Sequence, residues 1–171
     1  MSHTITAKIE FKDTESLTRA VEKLGGNVIG HGEHGLYETK ERGLGFELPG
    51  WHYPLVAKSD GTLAYDDFNG QWGNVKDIDT LKCTYTLTAV EREAQSLGWQ
   101  YEWTSDMGMR VYHPSGGVLN VSEDGVIDAD CFVGSACEEA TTTLANAIGG
   151  VETSQRKPEY NQDVVTIQEN A

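Results

Sequence analysis

The sequence predicts an α+β protein: an antiparallel sheet of several hairpins with about three helices packed on one face. Three observations predict this class. Apolar and polar residues alternate in several short segments, as they do in half-buried strands. Asp-Gly pairs separate apolar runs at residues 60–61 and 124–125, which is a strong hairpin signal. Three further segments place apolar residues at helical spacing and end at glycine.

The first segment predicts a strand followed by a helix. Ile5, Ala7, Ile9 and Phe11 alternate with polar residues and would share one face of a strand. Asp13 or Thr14 can then cap a helix, whose apolar stripe is Leu17, Ala20, Val21 and Leu24. The pair Gly25-Gly26 predicts the end of that helix.

The next stretch, residues 27–48, contains five glycines. We expect loops there, with short strands near 27–29, 36–39 and 45–48. A hairpin is predicted around Ser59-Asp60-Gly61, because apolar runs lie on both sides of that turn.

The second half of the chain predicts two helices separated by two hairpins. A helix from Asp77 to Gly98 follows from the spacing of its apolar residues, and the hairpins turn near 106–108 and 124–125. The last helix is predicted from Ser135, which forms a capping box with Glu138, and it ends at 149–150. Residues 151–171 are polar without a sustained period, which predicts an arm or a tail.

Composition excludes several functional classes. The chain has 171 residues and a formal net charge of −14, so it would repel nucleic acids and anionic membranes. No apolar run is long enough for a membrane span, and the N-terminal segment does not have the features of a signal peptide. The three cysteines do not have the spacing of a disulfide framework, which fits a reducing compartment. We therefore expect a cytoplasmic protein, in the host cytoplasm if a phage encodes it.

Two segments resemble known families. The sequences "LPGWHYPLV" and "YDDFNGQWG" resemble the uncharacterised chloroplast open-reading-frame thirty-five family, over about residues 1–113. The sequence "SEDGVIDADCFVGSACEEATTTLANAIGG" resembles a second small uncharacterised bacterial and phage family, over about residues 117–160.

Together these resemblances imply a natural fusion of two small families, and with the polar arm the chain is expected to have three parts. The first is an α+β domain at 1–113, the second a strand-strand-helix unit at 114–150 that packs on the first or extends it, and the third the polar arm at 151–171. They also imply that the genes of these families lie near a gene for an ATPase of the AAA class. Neither family has an activity that can be carried over.

The aromatic stretch from Phe46 to Trp72 has two interpretations. Its rings can be the packed core of a small protein, since cross-strand aromatic pairs stabilise sheets. Alternatively, they can form a platform for a planar ligand. The adjoining polar residues are explained least well by packing, and they give the candidate interaction surface: Asp66, Asp67, Asn69, Gln71 and Trp72.

The segment "HGEHG" offers a candidate metal site. His31, Glu33 and His34 are a two-histidine, one-carboxylate set that suits zinc or iron(II). The alternative is a solvated glycine loop without a ligand.

Cys137 is the candidate reactive thiol, with Cys131 as its potential partner. It lies near the predicted start of the last helix, where free N–H groups and the helix dipole lower a thiol pKa. The alternative is a small cysteine that is buried beneath the helix. Glu138 and Glu139 follow it directly and oppose a thiolate.

These observations predict a non-enzymatic adaptor or accessory subunit without a cofactor. Its partner would be a protein, with an AAA-type ATPase as the candidate, and it could also associate with itself. No Walker loop, nucleophile elbow or HExxH pattern occurs in the sequence. The alternative is a thiol-dependent or metal-binding enzyme or sensor that uses Cys137 or the residues His31, Glu33 and His34.

Overall fold

The computed structural model describes residues 3–105, 107–130, 132 and 136–156. In this part of the chain it contains ten strands and three helices. The strands are β1 (His3–Ala7), β2 (Asn27–Gly35), β3 (Lys40–Glu47), β4 (Leu55–Ala57), β5 (Leu63–Ala64), β6 (Gln100–Thr104), β7 (Gly108–Tyr112), β8 (Val118–Ser122), β9 (Val126–Asp130) and β10 (Val151–Arg156). The helices are α1 (Thr14–Lys23), α2 (Val75–Leu97) and α3 (Ala136–Ile148).

The strands form two antiparallel sheets, which confirms the α+β class. One sheet has six strands in the order β10-β1-β9-β8-β7-β6, and the other has four in the order β2-β3-β4-β5. The sequence pattern predicted a single sheet, and the structure has two. α2 and α3 pack on one face of the six-stranded sheet, while α1 packs on the four-stranded sheet.

Strand β1 lies inside the six-stranded sheet, between β9 and β10. Thr4 is opposite Asp128 on one side and opposite Gln155 on the other. Both neighbours run antiparallel to β1, so β9 and β10 run parallel to each other with β1 between them. The sheet therefore draws strands from all three expected parts of the chain, 1–113, 114–150 and 151–171.

Helix α2 joins the two hydrophobic cores. Its first half contributes Ile78, Leu81 and Tyr85 to the core beneath α1 and the four-stranded sheet. Its second half contributes Leu87, Val90 and Ala94 to the core beneath the six-stranded sheet. No helix in the described part of the chain is both long and apolar enough to cross a membrane.

The helix ends follow local sequence rules. The Asp13 side chain accepts a hydrogen bond from the Glu15 N–H at the start of α1, and the Asn74 side chain accepts one from the Lys76 N–H at the start of α2. Gly98 ends α2 with a φ of 74°, in the left-handed region that glycine adopts at low cost. The predicted cap of α3, Ser135, lies outside the described residues.

The strands expected near 27–29 and 45–48 lie in longer strands, but the rest of the prediction for residues 27–48 was wrong. Two long paired strands, β2 and β3, replace the expected loops, and the expected short strand at 36–39 is the connection between them. The glycines lie within the ladder: Gly30 and Gly32 have φ values of 131° and 152°, which a side chain would disfavour. Residues 151–156 of the expected arm form β10, and residues 157–171 lie outside the described part of the chain.

Candidate protein-interaction surface

Five aromatic side chains from three connecting segments contact one another beside the four-stranded sheet. We call them the ring cluster: Tyr37, His52, Tyr53, Phe68 and Trp72. Tyr37 comes from the connection between β2 and β3, and the pair at 52–53 from the connection between β3 and β4. The other two come from the segment between β5 and α2.

Trp72 is the centre of the ring cluster. The Phe68 ring stacks on it with a centroid distance of 4.5 Å, and the His52 ring stacks on it at 5.7 Å, both with an interplanar angle of 23°. Tyr37 and Tyr53 contact the same indole at 5.0 and 5.3 Å, with tilted or edge geometry. Such aromatic pairs favour offset or edge arrangements, so the four contacts hold one another in place.

The ring cluster lies at the surface. Tyr37 is 55% exposed and Phe68 is 48% exposed, so neither ring is core filling. His52 is exposed as well, while Tyr53 and Trp72 are half-buried, so the cluster presents aromatic surface to solvent. A patch of this kind suits docking of a macromolecule.

Backbone hydrogen bonds fix the segment that carries Phe68 and Trp72. The Trp72 N–H donates to the Asp67 carbonyl (2.9 Å), and the Trp72 carbonyl accepts from the His52 N–H (2.7 Å). Phe68 and Asn69 have positive φ values of 42° and 55°. Asparagine tolerates this conformation, but a phenylalanine there is strained. The chain thus holds an exposed ring in an unfavourable backbone conformation.

Trp51 has a structural role beside the ring cluster. Its indole N–H donates to the Asp77 carboxylate in the first turn of α2 (3.0 Å), and its ring contacts Tyr65 edge-on at 5.8 Å. A Cβ on Gly73 would come within 2.3 Å of the Trp51 ring. Glycine is therefore required where α2 begins, and Trp51 packs against the core.

The predicted polar residues border the ring cluster. Asp66 accepts a hydrogen bond from the Phe68 N–H (3.3 Å), which makes part of the turn. The side chains of Asp67, Asn69 and Gln71 make no hydrogen bond or ion pair with the rest of the described chain. They are thus free to bind another molecule, and their role as an interaction surface stays a prediction.

The predicted metal ligands lie on β2 and face different ways. His31 and Glu33 are exposed on one side, while His34 turns to the other, where its Nε2 donates to the Gly30 carbonyl (2.8 Å). The His34 ring lies against Gly45, where a Cβ would come within 2.5 Å of it. Among the described residues, no group of three His, Cys, Asp or Glu side chains is arranged to hold a metal ion.

Residues 30–35, "GHGEHG", have the spacing Gly-x-Gly-x-x-Gly of dinucleotide-binding loops. That loop must lead from a strand into a helix, whose N-terminus binds the pyrophosphate. Here all six residues lie within β2, and β3 follows. The spacing therefore belongs to a glycine-rich strand, which is not followed by the helix that pyrophosphate binding requires.

The thiols lie in settings that oppose reactivity. Cys137 is 1% exposed and packs in the core beneath the six-stranded sheet, and its predicted partner Cys131 lies outside the described residues. Cys83, which sequence analysis did not single out, is half-buried, and its Sγ lies 3.6 Å from a Glu123 carboxylate oxygen. Burial, and then the Glu123 charge, raise the Cys83 thiol pKa.

Sequence analysis did not assign Tyr37 or His52 to the surface. The signal for Tyr37 was a lone aromatic residue in the polar stretch "LYETKER", where no core contact is expected. His52 lies between two aromatic residues in "GWHYP", a pattern that fits core packing as well as a surface. Only the fold brings these two residues to Trp72.

A comparison with protein families finds a match in the last third of the chain. A family model described as a protein of unknown function (DUF2997) matches residues 119–161. This agrees with the second resemblance predicted at about 117–160, and it covers β8, β9, α3 and β10. No curated protein and no solved structure matches the chain.

Proposed function

We propose that this chain is a non-enzymatic adaptor that docks on a protein partner through the ring cluster and the adjoining segment from Asp66 to Gln71. The observation that carries the proposal is the exposure of Tyr37 and Phe68 in a cluster that is held rigidly by backbone hydrogen bonds. A rigid apolar patch loses little conformational entropy on binding, so it favours association.

The chemistry of the patch indicates what the partner presents. Asp67, with no ion pair in the described chain, lies beside the rings and attracts cations, as does the overall charge of −14. An Arg or Lys side chain over a ring gains about 0.5–1 kcal/mol at an exposed site. The partner we propose therefore carries a basic and apolar segment.

The identity of the partner rests on the sequence resemblance. Residues 1–113 resemble the chloroplast open-reading-frame thirty-five family and residues 117–160 a second small family, and the two resemblances together imply a neighbouring ATPase of the AAA class. We propose such an ATPase as the partner, in the cytoplasm. Self-association is a second part of the proposal: β2 is an edge of its sheet, and its Ile29 is 48% exposed, which suits pairing with another copy.

Site-specific photo-cross-linking in the native cell tests the proposal. Phe68 is replaced by p-benzoylphenylalanine, and a matched probe replaces Trp103, which is 47% exposed on β6 in the other sheet. We expect one dominant partner to cross-link at position 68 and not at position 103. Mass spectrometry then identifies it as an AAA-type ATPase, another protein or a second copy of the chain.

The variant Phe68→Gly provides the loss-of-binding control. Glycine accepts the φ of 42° without strain, so the fold should be retained while the exposed ring is lost. We expect binding to the identified partner to weaken at least about tenfold, as is usual for an aromatic hot spot. Equal cross-linking at both positions, or none at either, would contradict the proposed surface.

A further inference from the structure

A cavity in the four-stranded sheet differs in charge from the rest of the molecule. It has a volume of about 600 Å³ and lies between the start of α1 and strands β2, β3 and β4. Four of its lining residues can carry positive charge: Lys12, His31, Arg42 and Lys58. None of its lining residues is Asp or Glu, although the chain has 27 acidic residues against 13 Lys and Arg.

Arg42 makes fewer polar contacts with the described residues than Lys12 or Lys58 does. Its guanidinium makes no hydrogen bond or ion pair with the described residues; Glu33 lies opposite it on β2 in the ladder without forming an ion pair. Lys58 reaches Glu41 only at 3.9 Å. Lys12 pairs with Glu10 at 2.9 Å, but Glu10 is shared with Lys8.

The floor of the cavity is apolar and well packed. Phe11, Leu17, Leu44 and Ala57 line it, and each is nearly fully buried. Gly32 forms part of the wall, and a Cβ there would meet no atom within 4 Å, so the space beside it is open. A volume of this size holds a small organic molecule.

We propose that this cavity binds a small organic anion, with a carboxylate or phosphate group at the basic rim and an apolar body on the floor. Arg42 donates two parallel hydrogen bonds to the anionic oxygens, a geometry that a guanidinium provides and an ammonium does not. Lys12 and Lys58 add charge, and the hydroxyls of Thr14 and Ser59 line the same rim as neutral donors. This site is separate from the ring cluster and does not depend on the function proposed for it.

Calorimetry with four probes tests the assignment. Phenyl phosphate and hexanoate combine an anionic group with an apolar body, inorganic phosphate has no apolar body, and benzylammonium reverses the charge. We expect one-to-one binding of phenyl phosphate, hexanoate or both, at least tenfold weaker binding of inorganic phosphate, and no binding of benzylammonium. The preference between the first two identifies the head group.

Matched variants distinguish the cavity from general charge effects. Arg42→Ala should weaken binding at least tenfold, while Lys76→Ala, which removes the same charge from the exposed first turn of α2, should leave it unchanged. Amide shifts in the NMR spectrum should centre on Gly32 and Gly43. Binding that Arg42→Ala leaves intact, shifts located elsewhere, or no binding of either organic anion at millimolar concentration would overturn the proposal.

Discussion

An Arg92 guanidinium nitrogen lies 2.5 Å from a carboxylate oxygen of Asp13, the residue that caps α1. The same guanidinium contacts the Ser16 hydroxyl (3.1 Å) and Glu15 (3.2 Å). One side chain from α2 thus holds the first turn of α1. It links α1, which packs on the four-stranded sheet, to α2, which contributes to both hydrophobic cores.

We predict that Arg92→Met destabilises the protein by about 1–3 kcal/mol, because it leaves a partly buried capping carboxylate without its charged donor. Urea unfolding measures the change. The control is Arg19→Met, which removes an exposed ion pair with Glu15 and should cost less than about 0.5 kcal/mol. Equal effects of the two variants would contradict the role of Arg92.

We predict that Gly73→Ala destabilises the protein by about 1–3 kcal/mol, because the new Cβ would lie 2.3 Å from the Trp51 ring and displace it. Near-ultraviolet circular dichroism and urea unfolding report the change. Gly35→Ala is the matched control, since no atom lies within 4 Å of its Cβ position and its φ is not positive. That variant should change stability by less than about 0.5 kcal/mol.

We predict that stability decreases at alkaline pH through Tyr85. Burial is the main cause that raises the pKa of its phenol above the ordinary value of about 10. The folded state therefore keeps the phenol proton at a pH where the unfolded state releases it. The contribution of Tyr85 to the free energy of unfolding is complete below pH 10 and is lost as pH rises through the folded-state pKa.

The variant Tyr85→Phe checks this assignment. It removes the phenol oxygen that accepts a hydrogen bond from the Asp13 N–H (3.1 Å), which should cost about 1 kcal/mol at pH 7. Its stability should then fall less between pH 9 and 11 than that of the natural sequence. Tyr65→Phe, at an exposed ring, should leave the natural pH dependence in place; an equal loss of pH dependence there would disprove the assignment.

We predict that Thr4→Pro destabilises the protein by about 2–4 kcal/mol, because proline removes a ladder donor from a strand with neighbours on both sides. Thr4→Val keeps the branched shape and loses only the hydroxyl hydrogen bond to Asp128 (2.5 Å), so it should cost less than about 1 kcal/mol. Thermal unfolding compares the two. A proline variant as stable as the valine variant would place β1 outside the sheet.

Local signals in the sequence predicted the helices and most hairpins well. Asp13 caps α1, Gly98 ends α2, and the Asp-Gly turn at 124–125 joins β8 to β9. The glycine-rich segment misled the interpretation, because Gly30 and Gly32 adopt extended conformations with positive φ that are as compatible with a strand as with a loop.

Contacts between distant segments could not be predicted from one sequence. The pairing of β1 with β9 and β10 joins residues more than a hundred positions apart. Similarly, the local pattern identified Trp72 and its polar neighbours but not Tyr37, because the ring cluster exists only once three connections meet. The basic cavity was missed for the same reason, since its cations come from four separate elements or loops.

The position of β1 has a consequence for biosynthesis. Residues 3–7 are translated long before their two neighbours in the sheet, residues 126–130 and 151–156. Until both neighbours are made, β1 stays unpaired in the nascent chain, and closing so long a loop is slow. A chaperone that shields this early strand would therefore raise the yield of folded protein more than one that acts on the completed chain.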